Sequence, residues 1–182
     1  MGRIPQNYGE NLYAGWLGKL IGIRYGAPVE SWTYEKIRKT YGSELNGYLV
    51  DYNDFGADDD SNGPLFFLRA LGDYHYTSAL TPREIGLTWL NYAAWGHGFY
   101  WWGGYGNSTE HTAYLNLRNG IEAPRSGSIA QNGSVVAEQI GGQIFIDTWG
   151  LTIPNAPALS AEYARKASSV GPDGNGISGG VV

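Results

Sequence analysis

The chain has no cysteine among its 182 residues, so it forms no disulfide and offers no thiolate ligand to a metal. Charge is also scarce, because charged residues make up 16% of the sequence and the net charge is −5. Lysine and arginine form no run anywhere along the chain. Nucleic-acid binding requires a basic patch, and we therefore expect no nucleic-acid partner.

Long hydrophobic runs are missing too. The longest apolar stretch, residues 17–23, contains Lys19. It is far shorter than the roughly 20 residues that a membrane-spanning helix needs. The first ten residues include Arg3, Pro5 and Glu10 and lack the apolar segment of a secretory signal. The sequence predicts a soluble cytoplasmic protein with no membrane partner.

The residues that are abundant favour one helical domain over 1–182. Aromatic residues make up 14% of the chain, which argues against disorder, and its length is enough for a sizeable core. Apolar residues recur at helical spacing and strand signals are weak, so we predict an all-α fold. The clearest helix start is the capping box of Thr81 and Glu84. The predicted helices cover 11–25, 34–40, 63–73, 82–94, 109–117, 135–149 and 161–167, and residues 171–182 are typical of the opening of another helix.

The first predicted helix carries Gly18, Gly22 and Gly26 at four-residue intervals. Glycines at this spacing lie along one helix face and allow another backbone to approach closely. Residues 26–28 end this helix and place Glu30 on the turn beyond it. Turn residues on a rigid scaffold often carry chemistry, so Glu30 is a candidate general acid or base; the alternative is an ordinary surface glutamate.

Three adjacent carboxylates, Asp58, Asp59 and Asp60, precede an apolar segment. Adjacent carboxylates repel one another, so a fold accommodates them in one of two ways. In the first, they form a solvated turn in which Asp60 or Ser61 caps the following helix. In the second, they form an oxygen-rich site for a hard divalent cation such as Mg²⁺. The residues alone leave both interpretations open.

Two further segments allow both a binding and a structural interpretation. Residues 95–106 combine glycine with aromatic side chains, among them Trp101 and Trp102, which either line a pocket that stacks on rings or sugars or form a small core under a loop. Residues 132–134 open a helix and either present N–H groups to an anion or form a plain turn. The histidines show no metal-ligand spacing, and no nucleophile elbow or phosphate-binding loop occurs.

Taken together, the motifs resemble the ADP-ribosylglycohydrolase family. Four segments carry the resemblance in the family's order: 14–22 with 26–30 (AGWLGKLIG and GAPVE), 58–61 (DDDS), 126–133 (SGSIAQNG) and 167–180. The second is similar to the family's Thr-Asp-Asp-Thr signature, with aspartate and serine replacing the two threonines. The third resembles a loop that contacts ribose and phosphate.

The resemblance implies a compact, orthogonally packed all-α bundle that binds two Mg²⁺ ions and hydrolyses the bond at the anomeric carbon of a ribose. The implied substrate is a small-molecule or ADP-ribosylated compound, an ADP-ribosyl group or a related N- or O-glycoside. The implied site is Glu30 as the catalytic residue, Asp58, Asp59, Asp60 and Ser61 at the metal, and Gly127, Ser128, Asn132 and Gly133 at the substrate. We add Trp101 and Trp102 to the expected substrate contacts.

Two departures from the family pattern matter. No second metal-ligand motif, Asp-x-Asp followed by Thr or Ser, occurs between Asp60 and Val182, and Pro172 stands where the family tends to have histidine. We therefore expect an incomplete domain, truncated at its C-terminus, whose exposed faces are covered by a homodimer or by a missing C-terminal segment. Two alternatives stay open: a sugar or nucleoside substrate without a diphosphate, and a catalytically inactive fragment or binding module.

Overall fold

The computed structural model describes residues 4–44, 47–50 and 58–182. Across these ranges the secondary structure consists of helices and turns without a β-strand, so the all-α prediction is confirmed. None of the helices within the same ranges is long and apolar enough to cross a membrane.

The helices follow one another with short connections. They are α1 (Tyr8–Gly26), α2 (Tyr34–Tyr41), α3 (Asp59–Asp73), α4 (Pro82–Tyr92), α5 (Thr109–Arg118), α6 (Ile129–Asn132), α7 (Ser134–Ala137), α8 (Gly141–Ile144), α9 (Asp147–Thr152), α10 (Pro157–Ser168) and α11 (Asn175–Val181). Single 3₁₀ turns occur at Ala27–Val29, Phe99–Trp101 and Arg125–Gly127.

Side-chain caps set several of the helix starts. Thr81 and Glu84 form the predicted capping box at the start of α4, and the Ser108 hydroxyl accepts the His111 N–H at the start of α5. These caps satisfy backbone N–H groups that have no partner within the helix. Both starts were predictable because a capping residue directly precedes the apolar pattern.

The predicted buried helix over 135–149 is wrong, because this segment forms three short helices, α7, α8 and α9. The breaks lie at 138–140 and 145–146, on either side of α8, whose first two residues, Gly141 and Gly142, are poor helix formers. The Cα of Gly142 packs directly on the backbone of Gly176 in α11, where a methyl group would overlap the carbonyl oxygen. This close approach between two backbones depends on residues 34 positions apart, so no local pattern reveals it.

Two other helix starts were also predicted wrongly. Helix α10 begins at Pro157, whose fixed φ suits the first helical position, and the Ser160 N–H bonds to the Ala156 carbonyl at 3.0 Å inside the helix. Helix α3 begins at Asp59 rather than at residue 63, so Pro64 lies inside the helix. Its missing N–H leaves the Asp60 carbonyl without its helical donor.

The core is aromatic and lies between α3, α4, α5 and α10. Trp149 is fully buried and stacks on Tyr163 with ring centroids 5.0 Å apart. Other large buried members are Phe67, Leu80, Ile85, Trp89, Phe99, Tyr100, Tyr114, Phe145 and Val170. Aromatic rings bury more apolar area per residue than other side chains, so their burial contributes strongly to the stability of this core.

Helix α1 packs much less closely. None of its 19 residues is buried by the described part of the chain, and Gly18, Gly22 and Gly26 face open space. The close backbone approach expected at these glycines is therefore not made within the described residues. Helix α1 is attached through Tyr8, whose hydroxyl donates to the Leu151 carbonyl.

Candidate metal centre

The N-terminus of α3 is built by Asp58. One Asp58 carboxylate oxygen accepts the Ser61 N–H at 3.1 Å, and the Asp58 carbonyl accepts from the Ser61 hydroxyl at 3.1 Å and from the Asn62 amide at 2.6 Å. Asp58 is thus the helix cap, and the expectation that Asp60 or Ser61 caps the helix is wrong. The cap uses one carboxylate oxygen of Asp58 and leaves the other for a further partner.

The three aspartates converge. One carboxylate oxygen from each of Asp58, Asp59 and Asp60 lies within 4.8 Å of the others, and all three residues are half-buried. The Asp59 carboxylate also accepts a hydrogen bond from the neighbouring Asp60 N–H at 3.2 Å. No other trio of carboxylate, imidazole or thiol groups in 4–44, 47–50 and 58–182 converges in this way. The fold thus holds three negatively charged groups close together instead of pointing each of them separately into solvent.

This gathering shifts the pKa of two of the carboxyl groups. Burial, reinforced by the charges of Asp59 and Asp58, raises the pKa of Asp60 to about 6, and Lys19 opposes the shift. Burial also raises the pKa of Asp59, with the charges of Asp58 and Glu30 adding to it. The ionised cluster therefore carries an electrostatic cost that a bound cation relieves.

Glu30 lies at the edge of this cluster. It follows the 3₁₀ turn Ala27–Val29, its side chain is exposed, and its N–H bonds to the Ala27 carbonyl at 3.4 Å. Its charge acts on both Asp59 and Asp60, raising the pKa of each. The turn at the end of α1 and the start of α3 thus bring Glu30 within electrostatic range of Asp59 and Asp60, which follow it by 29 and 30 residues in sequence.

Lys19 and Asp147 form an ion pair whose lysine charge acts on Asp60, and sequence reasoning missed both residues. The Lys19 ammonium lies 2.8 Å from an Asp147 carboxylate oxygen, and it donates to the Ile144 carbonyl at 3.4 Å. Lys19 also lowers the pKa of Asp60. The available signal was a single lysine inside the longest apolar stretch of the sequence.

Glu110, in the first turn of α5, is a further acidic group whose pKa is affected by the aspartate cluster. Burial raises its pKa, and the Asp59 charge adds to the shift. The Glu110 carboxylate packs on Gly141, where a methyl group would overlap it, beside a cavity of about 10 Å³. Such a cavity is about the size of one water molecule. Sequence reasoning also missed Glu110, because the Gly141–Gly142 pair that makes room for it lies 31 residues away.

The loop 126–133 is held by its own polar groups. The Ser128 hydroxyl accepts the Gln131 N–H at 3.2 Å as the cap of α6. Asn132 and Asn116 bond to each other at 2.7 Å, and both donate to the Ser126 carbonyl at 2.8 Å. Gly127 packs on the backbone of another segment, and Gly133 has a φ of +76°. The structure thus gives this loop a rigid shape, and its substrate contacts stay a prediction.

Ser128 also faces a groove of about 620 Å³. Its wall includes Arg125, Ser169 and Asp173. The Asp173 carboxylate accepts the Ile129 N–H at 2.9 Å, which ties the loop to the segment before α11. Pro172 lies buried beside it.

The aromatic segment serves mainly as core. Phe99 and Tyr100 are buried, and Trp101 packs between Trp95 and His111 with ring centroids 4.7 and 4.8 Å away. Burial raises the pKa of Tyr100, and the charge of Glu110 adds to it, so this segment lies behind the acidic site. Trp102 is 44% exposed, and Trp95 and Tyr105 in the same segment are also exposed. Substrate contacts of Trp101 and Trp102 stay a prediction.

The donor set suits a hard divalent cation. Three carboxylates and the Ser61 hydroxyl surround the start of α3, and Mg²⁺ binds through one or two carboxylates together with water or substrate oxygens. Three converging, half-buried carboxylates also lack the dispersed arrangement of a solvated turn. The residues therefore fit Mg²⁺, and they define an all-α protein with an oxygen-donor centre at a helix N-terminus.

Comparison with known proteins gives the family. The family model described as ADP-ribosylglycohydrolase matches residues 5–181, nearly the whole chain, so the chain belongs to the ADP-ribosylglycohydrolase family. Neither the curated proteins nor the solved structures yielded a match. The all-α fold and the family agree, and the match supports a glycohydrolase of this type.

Proposed function

We propose that this protein is a Mg²⁺-dependent hydrolase that cleaves the glycosidic bond at the anomeric carbon of an ADP-ribosyl group or a related N- or O-glycoside. The observation that carries the proposal is the convergence of three half-buried carboxylates within 4.8 Å in a chain of this family. In this proposal Asp58, Asp59, Asp60 and Ser61 hold the metal. When bound, Mg²⁺ supplies Lewis-acid polarisation and orients vicinal hydroxyl groups.

Glu30 is the proposed acid and base. Its side chain is exposed beside the aspartates, where a substrate can reach it. A carboxylate at this place takes a proton from the attacking water while the water oxygen bonds to the anomeric carbon. The glycosidic bond breaks, and the leaving group takes up a proton. In this division of roles the aspartates hold the metal that orients the sugar, and Glu30 transfers the proton.

The remaining parts of the proposal concern substrate and stoichiometry. Two Mg²⁺ ions belong to the proposed complete centre, and the start of α3 supplies one group of ligands. Gly127, Ser128, Asn132 and Gly133 belong to the proposed ribose and phosphate contacts, supported by the rigid shape of their loop. The proposed setting is cytoplasmic, with a homodimer covering the exposed faces.

Hydrolysis of a defined ADP-ribosyl substrate tests the proposal. Release of the sugar product is measured for the wild type with Mg²⁺, with a chelator, and for Glu30→Gln. We expect the chelator to abolish hydrolysis and Glu30→Gln to lower kcat at least about 100-fold, the usual contribution of a general base. The control is Glu35→Gln, an exposed glutamate on α2 with the same chemistry, which should leave kcat unchanged.

Each alternative gives a different result in the same assay. Hydrolysis of a simple glycoside or nucleoside, with none of the ADP-ribosyl substrate, would replace the substrate class. Mg²⁺ binding without hydrolysis of either compound would identify a binding module. An unchanged kcat in Glu30→Gln would remove Glu30 from the catalytic role.

A further inference from the structure

The Lys19 side chain reaches from α1 into the interior of the site. Its ammonium group lies 2.8 Å from Asp147 and 3.4 Å from the Ile144 carbonyl, and the side chain is only 15% exposed. A lysine is rarely this buried unless its charge is paired. The pair joins α1 to the start of α9, and the bond to Ile144 joins α1 to the end of α8.

The position of α9 ties this ion pair to α3, the helix that begins with Asp59 and Asp60. The Thr148 hydroxyl donates to the Pro64 carbonyl at 2.9 Å, which fixes the start of α9 against α3. Asp60 lies one helical turn before Pro64 on the same face of α3. The effect of Lys19 on Asp60 agrees with this placement, since its charge stabilises the ionised Asp60 carboxylate. Asp147 therefore holds Lys19 within electrostatic range of Asp60.

Asp147 is only partly satisfied by this arrangement. One carboxylate oxygen binds Lys19, whereas the other is buried and has no hydrogen-bond partner in the described structure. A buried acceptor without a partner costs stability, and a buried ion pair is seldom the most stable solution for its position. A role in placing the Lys19 charge explains why the pair is built in this way.

We propose that Lys19 is the resident counter-charge of the acidic centre and that Asp147 anchors it beside the aspartates. An ammonium group has no lone pair for a metal, so Lys19 is a positioning residue that lowers cation affinity by repulsion. In the cation-free protein the same charge reduces the repulsion among the aspartates. This inference rests on the proposed function, because it presupposes a divalent cation at Asp58 to Asp60.

Calorimetric titration with MgCl₂ alone tests it through opposite shifts in two variants. Lys19→Gln should bind Mg²⁺ about three- to tenfold more tightly, because one positive charge beside a divalent cation is removed. Asp147→Asn should bind it more weakly, because the unanchored ammonium turns to the aspartates and one negative charge is lost. A purely structural pair would impair binding in both variants alike.

Two controls separate local from general effects. Lys166→Gln removes the same charge from the ion pair of Lys166 with Glu162, 2.7 Å apart on α10, and should leave Mg²⁺ affinity unchanged. Lys19→Arg keeps the charge and should stay close to the wild type. Circular dichroism confirms folding, and if Lys19→Gln does not fold, Lys19→Met takes its place as the neutral variant, with the same tighter binding expected.

The outcomes distinguish the two proposals. No Mg²⁺ binding by the wild type overturns both the proposed function and this inference. Binding by the wild type, with unchanged or weaker binding in Lys19→Gln or with unchanged or tighter binding in Asp147→Asn, overturns this inference alone. Tighter binding in Lys166→Gln equal to that in Lys19→Gln would assign the effect to net charge and also overturn it.

Discussion

Helices α5 and α1 differ sharply in how many of their residues are buried. Seven of the ten residues of α5 are buried, whereas none of the 19 residues of α1 is buried by the described part of the chain. Helix α5 packs on the aromatic core, and α1 contributes Lys19 and leads to Glu30 beside the aspartates. The well-packed region stabilises the fold, and the loosely packed region carries the charges.

This difference follows from the cost of gathering like charges. Asp58, Asp59 and Asp60 repel one another, and the pKa of Asp60 is raised to about 6 as a result of burial and this repulsion. The aromatic core compensates for such a cost elsewhere in the molecule, as functional sites commonly require. The comparison predicts that core substitutions change stability most, and that substitutions around α1 and the start of α3 change it little or improve it.

The largest effect is expected at Trp149, which is fully buried and stacks on Tyr163. Trp149→Ala should lower the free energy of unfolding by about 3–5 kcal/mol, through lost apolar burial and the cavity left behind. The matched change on α1, Trp16→Ala, should cost about 1 kcal/mol because the Trp16 side chain is only half-buried. Urea unfolding measures both, and equal costs would break the comparison.

Two glycines in long helices give the next contrast. A methyl group at Gly63 in α3 would overlap the buried Phe145 ring, so Gly63→Ala should destabilise by about 1–3 kcal/mol. Gly22 in α1 faces open space, so Gly22→Ala should stabilise by about 0.5–1 kcal/mol, the difference in helix propensity. Thermal unfolding measures both signs. A destabilising Gly22→Ala would show that α1 packs on something there.

The pH dependence of stability tests the acidic centre without a cation. Asp60 has a pKa of about 6 in the folded protein and 3.8 in a model compound. The folded state therefore keeps this proton where the unfolded chain has lost it, so its contribution is fully present below about pH 4 and is lost as the pH rises through about 6. Asp60→Asn should remove this loss, about 1 kcal/mol after discounting for solvent screening at a half-buried group. Identical pH profiles for the variant and the wild type would contradict it.

The smallest contrast compares two helix caps. Thr81→Ala removes the capping box of α4 and should cost about 1 kcal/mol. Asp58→Ala removes the cap of α3 but also relieves repulsion on Asp59 and Asp60, so without a divalent cation it should cost less than Thr81→Ala. Urea unfolding in a chelating buffer measures both, and a larger cost at Asp58 would show that repulsion is negligible.

The sequence predicted the parts of the fold that depend on local signals. The all-α class and the helices α1 and α4 follow from apolar spacing, and the starts of α4 and α5 follow from their capping residues. The division of 135–149 was not predictable, because it depends on the contact of Gly142 with a backbone that lies far along the chain. The cap at Asp58 was missed because three adjacent aspartates offer three equivalent candidates.

The candidate site was predictable in its aspartates and not in its surroundings. A run of three carboxylates is visible in the sequence, and its resemblance to a family signature placed Glu30 beside it. Lys19 and Asp147 are 128 residues apart, and the contact of α1 with α9, where the Tyr8 hydroxyl also donates to the Leu151 carbonyl, brings them together. Charges that pair across the fold leave no periodic pattern, so only the structure identifies them.

Titration calorimetry with MgCl₂, on the wild type and on Asp59→Ala, tests the central claim that the aspartates form a divalent-cation centre. For the wild type we predict a saturable heat and a melting temperature that rises with Mg²⁺ concentration, because a ligand of the folded state stabilises it. Asp59→Ala should show neither, while circular dichroism confirms that it is folded. The absence of both signals in the wild type, or equal binding in the two proteins, would contradict the claim.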